Sequence, residues 1–129
     1  MNFFLLDTHT FLWLVTGDKQ LSTFARQCFL DINNQFYLSA VTGFEIAVKY
    51  SLGKLQLTEP PKKFITHHVQ ANGLIPLPVT IEHTLYLEDL PFHHRDPFDR
   101  LLVAQALAEN IPILSADKIL SEYPIQRVW

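Results

Sequence analysis

The sequence predicts an α/β fold built on a mainly parallel sheet with helices on both faces. Three observations carry this. Short apolar runs end in a polar residue and pass directly into helical pattern, a strand, cap and helix unit is written twice within the first 52 residues, and helical segments separate the strands. Parallel neighbours need crossovers, and crossover helices cover a sheet on its two faces.

Residues 2–6 form a short apolar run ending at Asp7, which reads as a buried strand, and residues 8–15 form a short helix closed by Gly17. Residues 21–31 read as a second helix with Ser22 near its start. Residues 36–38 read as a strand, and Ser39 suits the N-cap of a helix that runs to about residue 52, where Gly53 stops it. Pro60 and Pro61 open a helix ending near Asn72 and Gly73, and residues 74–77 resume an extended pattern interrupted by Pro76. Thr80 caps a helix reaching Glu88. After a His-rich loop, Asp96 suits an N-cap and Pro97 the first position of a helix running to about Asn110. Residues 112–114 are another buried strand, Ser115 and Asp117 follow it, and residues 125–128 are the last extended piece.

A chain of 129 residues is the size of one domain and buries roughly two-thirds of the surface its unfolded form exposes. Composition shifts, linkers and repeats are absent, so the expectation is one domain over residues 1–129. Cys28 is the only cysteine, which excludes an intrachain disulfide and a thiolate zinc cluster and fits a reducing, cytoplasmic setting. The N-terminus has no basic region before its apolar residues, and no uncharged apolar run approaches the ~18 residues of a membrane span. A soluble, unprocessed protein is expected. The net charge of −3 argues against nucleic acid only until the acids are placed. Four of the 13 acids in one metal site would leave 9 against 10 basic residues, a surface able to take phosphate.

Ligands of such sheets bind beyond the carboxyl ends of the strands, which singles out Asp7 and Asp117. Asp7 could equally cap the helix that starts at Thr8, and Asp117 a last short helix. Glu45 falls some 20° beyond a stripe of Val41, Phe44, Val48 and Leu52 that itself spans about 80°, taking 100° per residue, so a carboxylate stands beside the expected buried face. An ionised acid there calls for a cation, and Lys49 at the i, i+4 spacing offers the simpler partner. Asp99 lies in the first turn of a helix that is apolar nearly all round, through Phe98, Leu101, Leu102, Val103, Ala104, Ala106 and Leu107. It suits the helix dipole without any chemistry, but a packed helix would point it into a cleft. Each acid has its own structural explanation, whereas four at one rim would repel, and a divalent cation relieves that. Oxygen donors without cysteine favour Mg²⁺ or Mn²⁺, ions suited to hydrolysis of a phosphodiester.

Four segments together resemble PIN-domain ribonucleases of the VapC toxin type: Phe4-Leu-Leu-Asp7-Thr-His-Thr-Phe-Leu-Trp13, Ser39-Ala-Val-Thr-Gly-Phe-Glu45-Ile-Ala-Val-Lys49, His94-Arg-Asp-Pro-Phe-Asp99-Arg-Leu-Leu-Val-Ala-Gln-Ala106 and Leu114-Ser-Ala-Asp117. They span nearly the whole chain in the family's order. The resemblance implies a three-layer α/β/α sandwich and a Mg²⁺- or Mn²⁺-dependent endoribonuclease that a co-expressed antitoxin holds inactive. It also implies a homodimer, and an antitoxin that brings a basic side chain to the acidic cleft. Asp7, Glu45, Asp99 and Asp117 match the family's acidic positions. The implied roles are Asp7 and Asp99 as principal metal ligands, with Glu45 and Asp117 completing the cluster directly or through water. Ser115 matches the hydroxyl position beside the last acid, and Thr8 assists through its hydroxyl. Asp96, three residues before Asp99, is expected to cap the helix.

Lys49, Arg95, Arg100, Lys54 and Lys118 stand near these acids in sequence and are expected to pair with them or to contact RNA phosphates. Phe11, Leu12 and Trp13 are expected in core or dimer contacts. His93 and His94 raise the reading of a metal-free, imidazole-driven ribonuclease, but adjacent loop residues seldom reach one phosphate from opposite sides. They are also a poor zinc pair, so a solvated or RNA-contacting loop is expected. An aspartyl phosphatase of the haloacid-dehalogenase type needs an acid two residues after its strand-end Asp, and this chain has His9 there. No added DNA-binding segment is visible for a structure-specific nuclease. The non-enzymatic alternative is a catalytically silent PIN-like protein-interaction module, for which the four filled acid positions give no sign.

Overall fold

β1 (Asn2–Leu6) lies at the centre of a five-stranded sheet in the computed structural model, which describes residues Met1–Trp129. β2 (Asn34–Ser39) and β3 (Ile75–Leu77) extend the sheet on one side, and β4 (Ile113–Leu114) and β5 (Arg127–Val128) on the other. The order is β3-β2-β1-β4-β5 and every pairing is parallel. Six helices accompany it: α1 (Thr8–Thr16), α2 (Thr23–Leu30), α3 (Ala40–Ser51), α4 (Pro61–Asn72), α5 (Ile81–Leu85) and α6 (Pro97–Glu109). A 3₁₀ turn (Lys118–Glu122) precedes β5.

Alternation along the strands divides the core in two. Leu6, Phe36, Leu38 and Leu114 join Phe11, Ala25, Ile46 and Phe64, the contributions of α1 to α4, on one face. Leu5 and Ile113 join Leu102, Val103 and Ala106 of α6, with Leu90 and Tyr123, on the other. Side chains two apart share a face, so each central strand feeds both clusters and a helical layer closes each side. Phe11 is fully buried, and Leu12 and Trp13 pack against its cluster, which places all three against the core.

The expected caps hold the helices in place. Asp7 accepts from the Thr10 amide, Ser22 from Ala25, Ser39 from Val41 and Asp96 from Phe98. Gly17 and Gly73 end α1 and α4 in the left-handed conformation, at φ 66° and 61°. Several boundaries differ. The helix after Thr80 stops at Leu85, and the chain continues in turns whose amides bond three residues back, bringing Leu87 and Leu90 onto the second core. β2 is longer than residues 36–38, and α2 starts at Thr23 because Ser22 is its cap.

The orientation of α3 also differs from expectation. Phe44 is 62% exposed and Leu52 equally so, while Val41, Thr42, Glu45 and Ile46 are buried. Ile46 is the side chain that reaches the first core, and Phe44 turns outward to meet Phe98 edge-on at 5.4 Å. The helix is therefore rotated so that Glu45 lies within its buried face and not beside it. No helix is long and apolar enough to cross a membrane.

Candidate active site

From β1 the chain moves to β2 on one side and later returns to β4 on the other, so the carboxyl ends of β1 and β4 frame a topological switch point. Asp7 leaves β1 there and Ser115 leaves β4. The Asp7 carboxylate is buried and fully engaged: Oδ1 accepts the Thr10 amide at 2.8 Å and Oδ2 accepts the Ser115 hydroxyl. Capping α1 and meeting Ser115 fix its rotamer between the two strand ends.

Glu45 reaches the same rim from α3 and is 3% exposed. Its Oε1 accepts the Thr8 hydroxyl at 2.7 Å, and Thr8 also meets Thr42 at 3.1 Å. Its Oε2 takes the Lys49 ammonium at 2.5 Å. That hydrogen bond, with the charge of Glu45 behind it, raises the Lys49 ammonium above the usual lysine range. Lys49 thus neutralises the most buried acid of the group.

A second cluster lies beside the first. His94 Nε2 stands 2.8 Å from Asp117 Oδ2 and 3.3 Å from Asp99 Oδ2, and donor atoms of the three residues all lie within 4.8 Å of one another. Asp117 turns its other oxygen to the Ile119 amide and so caps the 3₁₀ turn. The Asp99 carboxyl is pushed up to about 7, first by burial, then by the charge of Asp96; His94 opposes the shift, and Glu45 and Asp7 add to it. The fields of three other acids, Asp96, Glu45 and Asp7, therefore meet at Asp99. An acid held this far above its ordinary value by burial and like charges is what a cation would relieve, so the donor set fits a hard divalent ion.

Thr8, Glu45 and Lys49 form one network, and Asp7 joins Ser115, whose hydroxyl oxygen accepts the Asp117 amide at 3.0 Å and so leads to the cluster of Asp117, His94 and Asp99. Arg95 is exposed and Asp96 keeps the capping role expected of it. Arg100 departs from expectation. It is 7% exposed and gives its guanidinium to the carbonyls of Leu90, Pro91 and His94, with Phe92 stacked over it at 3.9 Å. A cation on the buried face of α6 must find acceptors at hand, and loop carbonyls supply them. Arg100 is occupied with the loop and does not pair with the acids or face solvent phosphates.

His94 is the residue that sequence reasoning missed. The sequence places it in a solvated or RNA-contacting loop, yet its side chain is only 14% exposed and lies between two of the acids. His93, its neighbour, instead packs edge-on against Tyr123 at 5.0 Å. The available signal was position: His94 stands two residues before the cap Asp96, close enough for Nδ1 to accept the Asp96 amide at 3.1 Å.

The PIN-domain family model matches residues 4–126. This chain belongs to the PIN-domain family. Among curated proteins, the PIN domain is similar to Ribonuclease VapC16 of Mycobacterium tuberculosis, 38% identical over 56 residues. That segment is 43% of this chain and spans 40% of the relative. Among solved structures it resembles a chain of VapBC2 from Rickettsia felis bound to a promoter DNA fragment, with a TM-score of 0.73 at 17% identity and 98% of both chains covered. DNA-bound VapBC from Salmonella typhimurium gives 0.70 at 14% identity, covering 99% of this chain and 98% of that one. VapBC-5 from Mycobacterium tuberculosis, a member of the VapBC family of toxin-antitoxin systems, gives 0.62 at 18%, covering 99% and 100%. At such identities the structural likeness speaks for the PIN fold, a three-layer α/β/α sandwich on a parallel sheet.

Proposed function

We propose that this PIN domain is a Mg²⁺- or Mn²⁺-dependent endoribonuclease acting as the VapC-type toxin of a toxin–antitoxin pair in the cytoplasm. The observation that carries the reading is the cluster of His94, Asp99 and Asp117, with donor atoms within 4.8 Å of one another, lying near enough to Asp7 and Glu45 that both acids add to the rise of Asp99 that burial and Asp96 lead. The partial match to a curated ribonuclease and the fold likeness to toxin–antitoxin proteins support it.

In this reading Asp7 and Asp99 are the principal ligands, with Glu45 and Asp117 completing the set directly or through water. A divalent cation bound there supplies charge to the scissile phosphate and a more acidic water for in-line hydrolysis. The chain's own groups prepare the site. Ser115 and the Thr10 amide hold the Asp7 carboxylate, and Thr8 holds Glu45. Lys49 keeps positive charge beside Glu45 for a phosphate to use. Arg95, exposed next to the cap of α6, contacts the RNA backbone. Residues 1–129 act as one PIN domain that assembles as a homodimer, and the antitoxin answers the acidic cleft with a basic side chain.

The test is cleavage of a mixed small-RNA pool with Mg²⁺ or Mn²⁺, with chelator, and with Asp7→Asn and Asp99→Asn. Metal-dependent cutting that leaves 5′-phosphate ends and is lost in both variants is expected. Chelator-resistant cutting with cyclic phosphate ends would overturn the mechanism in favour of imidazole chemistry. No cutting together with no Mn²⁺ binding would leave the silent interaction module.

A further inference from the structure

The main chain around His94 is held from two sides. Arg100 takes the carbonyls of Leu90 and Pro91 at 3.0 and 2.8 Å and that of His94 at 3.4 Å. The Tyr123 hydroxyl donates to Pro91 O at 2.7 Å and accepts the His94 amide at 2.9 Å. The imidazole is fixed in turn. The Asp96 amide can only donate, so Nδ1, 3.1 Å away, must accept. The ring proton of the neutral imidazole is therefore on Nε2, the atom facing Asp117 Oδ2 and Asp99 Oδ2.

We infer that His94 is a positioning residue for the proposed reaction: as an Nε2–H donor locked by the Asp96 amide, it holds the Asp117 carboxylate by a hydrogen bond next to Asp99, whose Oδ2 lies 3.3 Å away, without itself ligating the cation. The inference rests on the metal-dependent reading above. A ligating Nε2 would need its lone pair, and then Nδ1 would carry the proton toward the Asp96 N–H, setting two donors against each other. Metal-binding histidines ordinarily donate from their second nitrogen, the reverse of this arrangement. The cation thus meets oxygen donors only. His94 acts one step behind, setting the rotamer of Asp117, the acid after β4, beside Asp99 of α6. Arg100 and Tyr123 stand one step further back and set His94.

The experiment is Mn²⁺ titration by calorimetry of the wild-type protein, His94→Ala and His94→Gln, with Mn²⁺ electron paramagnetic resonance of the wild type. A glutamine amide can donate from nearly the place of Nε2, whereas alanine cannot. His94→Ala is expected to weaken Mn²⁺ binding about 10- to 100-fold, as for other groups that orient metal ligands, and His94→Gln to restore it to within about threefold. The wild-type spectrum should show no histidine nitrogen coupled to the metal. Nitrogen coupling would make His94 a ligand and overturn the inference, and it needs no variant that folds. Unchanged or tighter Mn²⁺ binding by folded His94→Ala, or a glutamine variant no better than alanine, would overturn it too. A wild-type protein that binds no Mn²⁺ would instead sink the metal-dependent reading itself and take this inference with it.

Discussion

Asp96 and Asp99 are one turn apart at the start of α6, and their carboxylates are used differently: Asp96 Oδ1 accepts the Phe98 amide at 2.9 Å, while Asp99 Oδ2 lies 3.3 Å from His94 Nε2. The first is an N-cap and the second belongs to the acid cluster. Asp96→Ala should therefore cost about 1 kcal/mol of stability, a few degrees in Tm, and keep most activity. Asp99→Asn should keep the fold and abolish cleavage. Thermal melts beside cleavage rates decide it, and a well-folded Asp96→Ala as inactive as Asp99→Asn would contradict the division.

The raised Asp99 carboxyl gives a pH dependence with a definite sign. Burial and the charge of Asp96 push it to about 7, so between pH ~4 and ~7 the folded protein keeps a proton that the unfolded chain has lost. Where the native state binds more protons, stability falls as pH rises. The Asp99 contribution is thus absent below the ordinary carboxylate range, grows unfavourable from pH ~4 to ~7 and is at its full size above that. Without metal, the difference in Tm between Asp99→Asn and wild type should favour the variant at pH 8 and vanish at pH 3.5. Mn²⁺ should raise the wild-type Tm more at pH 8 than at pH 5. A variant advantage that is the same at both pH values would refute the assignment.

Much of this site is legible in the chain because strand ends and helix caps are local. Asp7 and Asp117 follow apolar strands, and Asp96-Pro97 fixes where α6 begins, so their placement needs no knowledge of tertiary packing. Glu45 was harder. Its burial depends on the rotation of α3, which the apolar pattern does not reveal because Phe44 points outward to a partner, Phe98, on another helix. His94 and Arg100 were illegible for a related reason: what a loop histidine or a helix arginine touches is set by how the 90–96 segment folds back on α6. A cation inside an otherwise apolar helix was nevertheless a sign that carbonyls must gather around it.

Arg100→Lys tests the loop clamp. A lysine carries one ammonium where the guanidinium bridges three carbonyls, and it loses the planar stack with Phe92. Unpaired buried carbonyls cost about 1–3 kcal/mol, so denaturant unfolding should shift by that amount despite the conserved charge. The salt dependence of RNA binding should stay as in the wild type, because this cation is not offered to phosphates. A flatter salt slope with unchanged stability would return Arg100 to the RNA surface.

Lys49 and Glu45 allow the last test, a double-mutant cycle with Lys49→Met and Glu45→Gln. The Glu45 side chain is 4% exposed but the Lys49 side chain is 37% exposed, so water screens the pair and the coupling should be about 1 kcal/mol, well short of a fully buried ion pair. Glu45→Gln keeps an acceptor for the Thr8 hydroxyl and removes the charge that needed neutralising. Lys49→Met alone leaves that charge with hydroxyl support only and should destabilise the metal-free protein. Added Mn²⁺ should recover part of this loss, since a cation near Asp99 also offsets the field of Glu45. Unfolding free energies of the four proteins, with and without Mn²⁺, measure both effects. No recovery by Mn²⁺ would separate Glu45 from the metal site and leave Lys49 as its only counter-ion.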